Sequence, residues 1–176
     1  MVTAMPTTDN DTPAFDPRTH RLVAQRWFDD FRIGECFPLP SRTMTKAIFL
    51  AFQAASGDNH PIHYDVEYCR ARGLPGMLAH GYLVAIQTVA GAGLFAHMVA
   101  DSLKAFLEQS TRFRQPVFVG DTLYPALEVN ELSPNRTTGV VGLRGTVHNQ
   151  HGALVLDGQH RYLLRRSADR ITTRAE

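Results

Sequence analysis

The sequence predicts an α+β protein: a single domain in which an antiparallel sheet curls around a long apolar central helix. Three observations lead there. Residues 77–100 contain no Asp, Glu, Lys or Arg, as expected of a helix that is apolar all round. From Leu103 onward the apolar period changes from helical to two, and it stays there through four segments separated by turn residues. The two ends, residues 1–26 and 167–176, are polar and leave residues 27–166 as one domain of ordinary size.

Residues 1–26 mix Thr, Asp, Pro and Asn with few large apolar side chains. Such a segment buries too little surface to offset its ordering entropy, so a flexible tail is expected there and another over residues 167–176. Gly34, Pro38 and Pro40 make residues 28–43 a loop leading into a short edge strand. Thr45 is placed to cap a helix over about residues 46–56, with Ile48, Phe49, Phe52 and Ala55 on one face and Gly57 as its stop. Asp65 caps a shorter helix through about Arg72, which Gly73, Pro75 and Gly76 break. The long apolar helix is expected from about Gly81 to His97, buried on all sides. Gly91 and Gly93 within it fit places where backbone packs closely against a neighbour.

Residues 103–115 alternate, with Glu108, Arg112 and Arg114 on one face and Leu107, Thr111 and Phe113 on the other. Gly120-Asp121 marks a turn. Leu123, Leu127 and Val129 mark a second strand, and Val141, Leu143 and Val147 a third. Residues 153–165 give a fourth, with an irregularity expected at Asp157-Gly158. A curled sheet keeps a free edge and one incompletely covered face, so a homodimer or a dimer of dimers is expected.

The net charge of +1 argues against nucleic acid or a charged membrane surface as a partner. Cys36 and Cys69 lack the spacing of a disulfide scaffold or a zinc site, and the chain does not start with a basic-then-apolar signal segment. Both features point to the cytoplasm. The uncharged stretch is long enough to span a bilayer, but His80, Gln87 and His97 interrupt it and no basic anchors flank it closely. A buried helix is expected instead, with no membrane partner.

Reactive side chains are densest in Gly57-Asp58-Asn59-His60-Pro61-Ile62-His63. Pro61 fixes one torsion and keeps His60 out of the helical region, so Asp58 and His63 sit on a stiff, non-helical link that could aim both at one point. His80-Gly81 falls at the start of the long helix, where unpaired N–H groups and the helix dipole favour developing negative charge. These features together resemble the MaoC-like family, which includes the R-specific enoyl-CoA hydratases. Asp58, Pro61 and His63 match its signature of Asp, two residues, Pro, one residue, His. His80-Gly81 matches its His-Gly, and Phe113-Arg114-Gln115-Pro116-Val117-Phe118-Val119-Gly120-Asp121 its strand ending in a Pro-Val, Gly-Asp turn. The resemblance covers roughly residues 31–165 and implies the hot-dog fold.

The resemblance also implies a chemistry: reversible addition of water to a 2-enoyl-CoA thioester, with no cofactor beyond the coenzyme A of the substrate. Asp58 would be the general base on water, and His63 would deliver a proton to the α-carbon. The Gly81 N–H would donate to the enolate-like thioester oxygen. Asn59 could orient Asp58 or the water, and His80 either caps the helix or takes a direct part. Arg112 and Arg114 could attract the phosphates of coenzyme A, or simply form a solvated strand face. Asp58, His60, His63 and His80 carry metal-ligand chemistry, but Pro61 disfavours the regular helix that would align the histidines, and no metal is expected. Hydratases of the group often carry Ser where this chain has Val89. That departure leaves a non-catalytic acyl-thioester-binding subunit, or more remotely a hot-dog thioesterase, as alternatives. Acyl carrier protein in place of coenzyme A also stays open.

Overall fold

The structure, a computed structural model, describes residues 15–167. The described strands are β1 (Cys36–Pro38), β2 (Arg42–Thr43), β3 (Leu103–Phe113), β4 (Thr122–Pro134), β5 (Thr138–Asn149) and β6 (Leu154–Arg165). They form one antiparallel sheet in the order β1-β4-β5-β6-β3, with β2 also on β4. The helices are α1 (Lys46–Ser56), α2 (Val66–Arg70), α3 (Gly81–Ala85) and α4 (Phe95–Met98). No helix among the described residues is long and apolar enough to cross a membrane.

Local signals set the first two helices. The Thr45 hydroxyl accepts from Ile48 N at the start of α1, and Gly57 ends it at φ 72°, a left-handed conformation that favours glycine. The Asp65 carboxylate accepts from Tyr68 N at the start of α2, which ends at Arg70, two residues short of the expected boundary.

The long central helix is not continuous. After α3 the chain passes through 3-10 turns at Ile86–Thr88 and Ala90–Ala92 before α4. Val89 and Gly93 adopt extended backbone angles, which breaks the ladder twice. A Cβ at Gly93 would lie 2.5 Å from Leu39 Cδ2, so close packing against the loop before β2 explains that glycine; Gly91 has open space around it. Nor is the segment buried on all sides. Leu83, Val84, Ala85, Ala90 and Phe95 face the sheet, but Tyr82, Ile86, Val89 and Leu94 are exposed.

The curl of the sheet divides the core into two clusters. Phe95 and Val99 pack with Phe28, Phe31, Phe37, Leu127, Val129, Val141, Leu143 and Leu164. Leu83, Val84 and Ala85 pack with Met44, Phe49, Cys69, Leu123, Val147, Val155 and Leu156. The alternating apolar residues expected in β4 and β5 are all fully buried. Between the clusters lies a polar cross-brace. The Thr88 hydroxyl donates to Ala85 O at 2.8 Å and meets His160 Nε2 at 3.1 Å, while the other ring nitrogen of His160 lies 3.4 Å from the Tyr162 hydroxyl. Burial holds the His160 pKa below its ordinary value and pushes the Tyr162 phenol up to about 12.

Two details of the sheet differ from expectation. Leu107 sits at a register shift between Phe106 and Glu108, and the apolar face expected on β3 is not buried: Leu107 and Phe113 are exposed and Thr111 is half-buried. Asp157 and Gly158 pair in regular register with Arg112 and Thr111. Gly158 is there for close approach: a Cβ would lie 2.3 Å from the Ser110 carbonyl oxygen. Part of the expected N-terminal tail is tied down. The Gln25 side chain donates to His97 O and accepts from Asp101 N, and Arg26 pairs with Glu35. Ser167 N donates to Asp29; residues 1–14 and 168–176 of the expected tails lie outside the described residues.

Candidate active site

The left-handed turn at Gly57 throws the chain off the end of α1 and presents Asp58. Its carboxylate accepts from His60 N at 3.3 Å, closing a local turn. His60 is extended, as Pro61 requires, and its Nδ1 accepts from Ile62 N at 3.3 Å. The link is then not extended throughout: Pro61–His63 forms one 3-10 turn that swings His63 back toward Asp58. His63 Nε2 lies 3.8 Å from Asp58 Oδ2, so the two side chains converge as the sequence predicts. Asp58 is half exposed and His63 nearly buried.

A partner that the motif did not reveal fixes the role of each His63 nitrogen. Nδ1 lies 2.7 Å from the Leu78 carbonyl oxygen. A carbonyl only accepts, so Nδ1 is the donor and keeps its proton in either charge state. Proton exchange is thereby confined to Nε2, the atom that faces Asp58. The Leu78 carbonyl is itself held by the Pro-Val turn. Leu78 bridges Phe118, Ala79 N donates to Val117 O, and Val119 N donates to Met77 O. The Gly120 turn, at φ 100°, is closed by Phe118 N donating to the Asp121 carboxylate. The signal for Leu78 was present in the two motifs, but only their pairing in space shows its use.

A cleft of about 410 Å³ opens beside His63, lined by His63, Leu78, Gly81, Val84, Phe113 and Arg114 among others; Asp58, half exposed, is not among the lining residues. Its walls are chiefly apolar, as a site for an acyl group requires. Gly81 lies against Phe113: a Cβ would come within 3.1 Å of the ring. The expected helix-dipole field at Gly81 is weaker than a long helix would give, because α3 has only five residues.

The remaining candidates divide. His80 is 2% exposed and is not among the residues that line the cleft. Nor does its side chain cap α3. It donates from Nε2 to the Asp58 carbonyl oxygen at 3.3 Å and stacks on His63 with ring centroids 3.7 Å apart. Burial is the main cause that holds its pKa below the ordinary histidine value, and neighbouring His63 adds to it. Asn59 accepts from Gln53 Nε2 at 2.7 Å, which ties the turn to α1. Arg114 lines the cleft but forms a two-point pair with Asp157 at 2.8 and 3.1 Å. Arg112 lies instead in a separate polar pocket with Arg144 and Gln159. Val89 is exposed and outside the cleft lining, beside the exposed Ile86 of the broken helix. Donor atoms of Asp58, His63 and His80 fall within 4.8 Å of one another, while His60 is not among them.

Residues 30–154 match the family of the MaoC like domain, most of the chain. The chain belongs to that family. A curated relative, the (R)-specific enoyl-CoA hydratase of Aeromonas caviae, is 29% identical over 119 residues, which are 68% of this chain and 85% of that one. A solved structure from Archaeoglobus, described as a monoamine oxidase regulatory protein, superposes with a TM-score of 0.77 at 29% identity, covering 84% of this chain and 99% of the other. A protein of Mycobacterium tuberculosis with a double hot-dog fold superposes with a TM-score of 0.70 at 34% identity over 82% of this chain and 46% of its own. The MaoC-like chain therefore has the hot-dog fold, and its relatives place it among hydratases and dehydratases.

Proposed function

We propose that this chain reversibly adds water to 2-enoyl-CoA thioesters, giving 3-hydroxyacyl-CoA, with Asp58 and His63 as the acid–base pair. The observation that carries the reading is the approach of Asp58 Oδ2 to His63 Nε2, 3.8 Å apart, with His63 on the wall of an apolar cleft. A water lying between them loses a proton to Asp58 as its oxygen attacks the β-carbon, and His63 Nε2–H gives a proton to the α-carbon. Dehydration returns both protons by the same route. The Gly81 N–H, on the cleft wall, donates to the thioester oxygen as it gains charge. Arg114, on the cleft wall, is the side chain this reading assigns to the coenzyme A phosphates. Both proton tasks are met by side chains, so the reaction calls on no cofactor beyond the thioester itself. The (R)-specific hydratase among the relatives supports the substrate class.

The reading includes a homodimer or a dimer of dimers. Tyr82, Ile86 and Val89 form an exposed apolar strip beside β3, whose outer edge pairs with no other strand among the described residues.

The test is hydration of 2-butenoyl-CoA by the purified chain, followed as loss of the conjugated thioester absorbance. Asp58→Asn keeps the shape of the side chain and removes the base. A fall of about a hundredfold or more is expected, and native turnover by this variant would reject the mechanism.

A further inference from the structure

We infer that His80 is a positioning residue that holds the Asp58 main chain with its ring edge and the His63 ring with its face. The inference rests on the Asp58/His63 reading and adds to it a side chain that never meets the substrate.

His80 touches both members of the pair through different surfaces. Its Nε2–H donates to the Asp58 carbonyl oxygen at 3.3 Å, at the turn that aims the carboxylate. Its ring lies over His63 with centroids 3.7 Å apart and planes 23° from parallel. Behind it stand Phe49 and Phe52 of α1, with ring centroids 6.2 and 5.0 Å away. The ring is 2% exposed, so it has no free volume in which to turn. Displacing it would release Asp58 and His63 together.

The second nitrogen of the ring makes the case stronger. Nε2 donates to a carbonyl, so the neutral ring carries its lone pair on Nδ1. That Nδ1 is buried and has no hydrogen-bond partner among the described residues. An unpartnered buried polar atom is unfavourable. A phenyl ring in the same aromatic nest would avoid it. The fold keeps an imidazole there, and the gain it offers is the bond from Nε2 to Asp58. A second proton would sit on Nδ1 without an acceptor and set a cation against His63. The titratable groups that face this ring are Asp58 and His63, and α1 presents only Phe49 and Phe52 to it. The ring therefore stays neutral while His63 exchanges its proton, and the stack adds no competing charge.

The test compares variants of the full chain in 2-butenoyl-CoA hydration, with folding checked by circular dichroism. His80→Phe keeps an aromatic face against His63 and removes the donor to Asp58. Its kcat should fall about tenfold or more, with KM within about twofold, because the geometry of the pair is lost and the cleft is not. Gln places an amide N–H near the site of Nε2, whereas Asn places it near Nδ1. His80→Gln should therefore exceed His80→Asn in kcat by about fivefold or more, a comparison that stands even if the Phe variant does not fold. Both limbs of the pH–rate profile should survive in every folded variant. Native kcat in folded His80→Phe, equal rates for the Gln and Asn variants, or loss of one limb would overturn the role. Asp58→Asn, run alongside, separates the two levels. If it is inactive while His80→Phe is native-like, only the His80 role fails. If the unaltered chain shows no turnover, or Asp58→Asn is fully active, the acid–base reading fails and this role with it.

Discussion

Gly158→Ala should destabilise the protein and distort the cleft in one step. Gly158 faces Thr111 across the β3–β6 ladder, and an added methyl group would sit 2.3 Å from the Ser110 carbonyl oxygen and 3.3 Å from Thr111 Cα. These are backbone atoms, so no side chain can turn away and the strands themselves must separate. Overpacking of this kind costs about 1–3 kcal/mol, and a ladder hydrogen bond lost nearby adds about 1 kcal/mol. For a chain of this size each 1 kcal/mol lowers the melting temperature by roughly 2–4 °C, so a fall on the order of 5–15 °C is expected. Because Phe113, the last residue of β3, and Arg114 just beyond it wall the cleft, KM for the enoyl thioester should rise as well. Gly76→Ala is the control, since a Cβ there meets nothing within 4 Å and the backbone angle is ordinary. Thermal melts by circular dichroism decide the matter. If the Gly158 variant melts within a degree of the native protein, the close approach of the two strands is not what selects glycine.

Two further outcomes are expected. Stability should fall in acid: burial holds the His160 pKa below its ordinary 6.5, so the unfolded chain binds that proton more tightly. The contribution is fully present above about pH 6.5 and lost as pH falls through the lower folded-state value; His80 acts in the same direction. Urea midpoints at several pH values should show the slope, and His160→Gln should flatten it. In solution the chain, 19.6 kDa alone, should run at twice that mass or more by light scattering, and Ile86→Asp on the exposed strip should lower the mass to that of one chain. A native chain at single-chain mass would remove the second copy from the account.

The parts of this molecule that were legible in advance are those set by short-range chemistry. Thr45, Gly57 and Asp65 announce helix ends because capping and left-handed turns need only a few neighbouring atoms. Leu123, Leu127, Val129, Val141, Leu143 and Val147 announce a buried sheet face because alternation is local. The spacing of Asp58, Pro61 and His63 announces two side chains that meet, for the same reason. What escaped depends on groups far apart in the chain. The apolar run after His80 reads as one helix, and only packing of Gly93 against Leu39 and the extended angles at Val89 show why it breaks. His80 reads as a cap or a direct participant, and its place behind His63 follows from how α1 and α3 meet. Arg112 and Arg114 read as one cationic face. Arg114 alone reaches the cleft, and the Asp157 that engages it lies 43 residues away in the chain.

The acceptor for His63 Nδ1 belongs to the main chain, not to a side chain. Every amino acid carries the same carbonyl, so replacement of Leu78 by another residue leaves that acceptor chemically intact. The tautomer of the His63 imidazole is thus insulated from point substitution at the very position that sets it. What guards it is the pairing of residues 77–79 with residues 117–119, and there the sequence is exposed to change. Drift in the Pro-Val turn, far down the chain, can unsettle a proton on His63 that drift at Leu78 leaves alone.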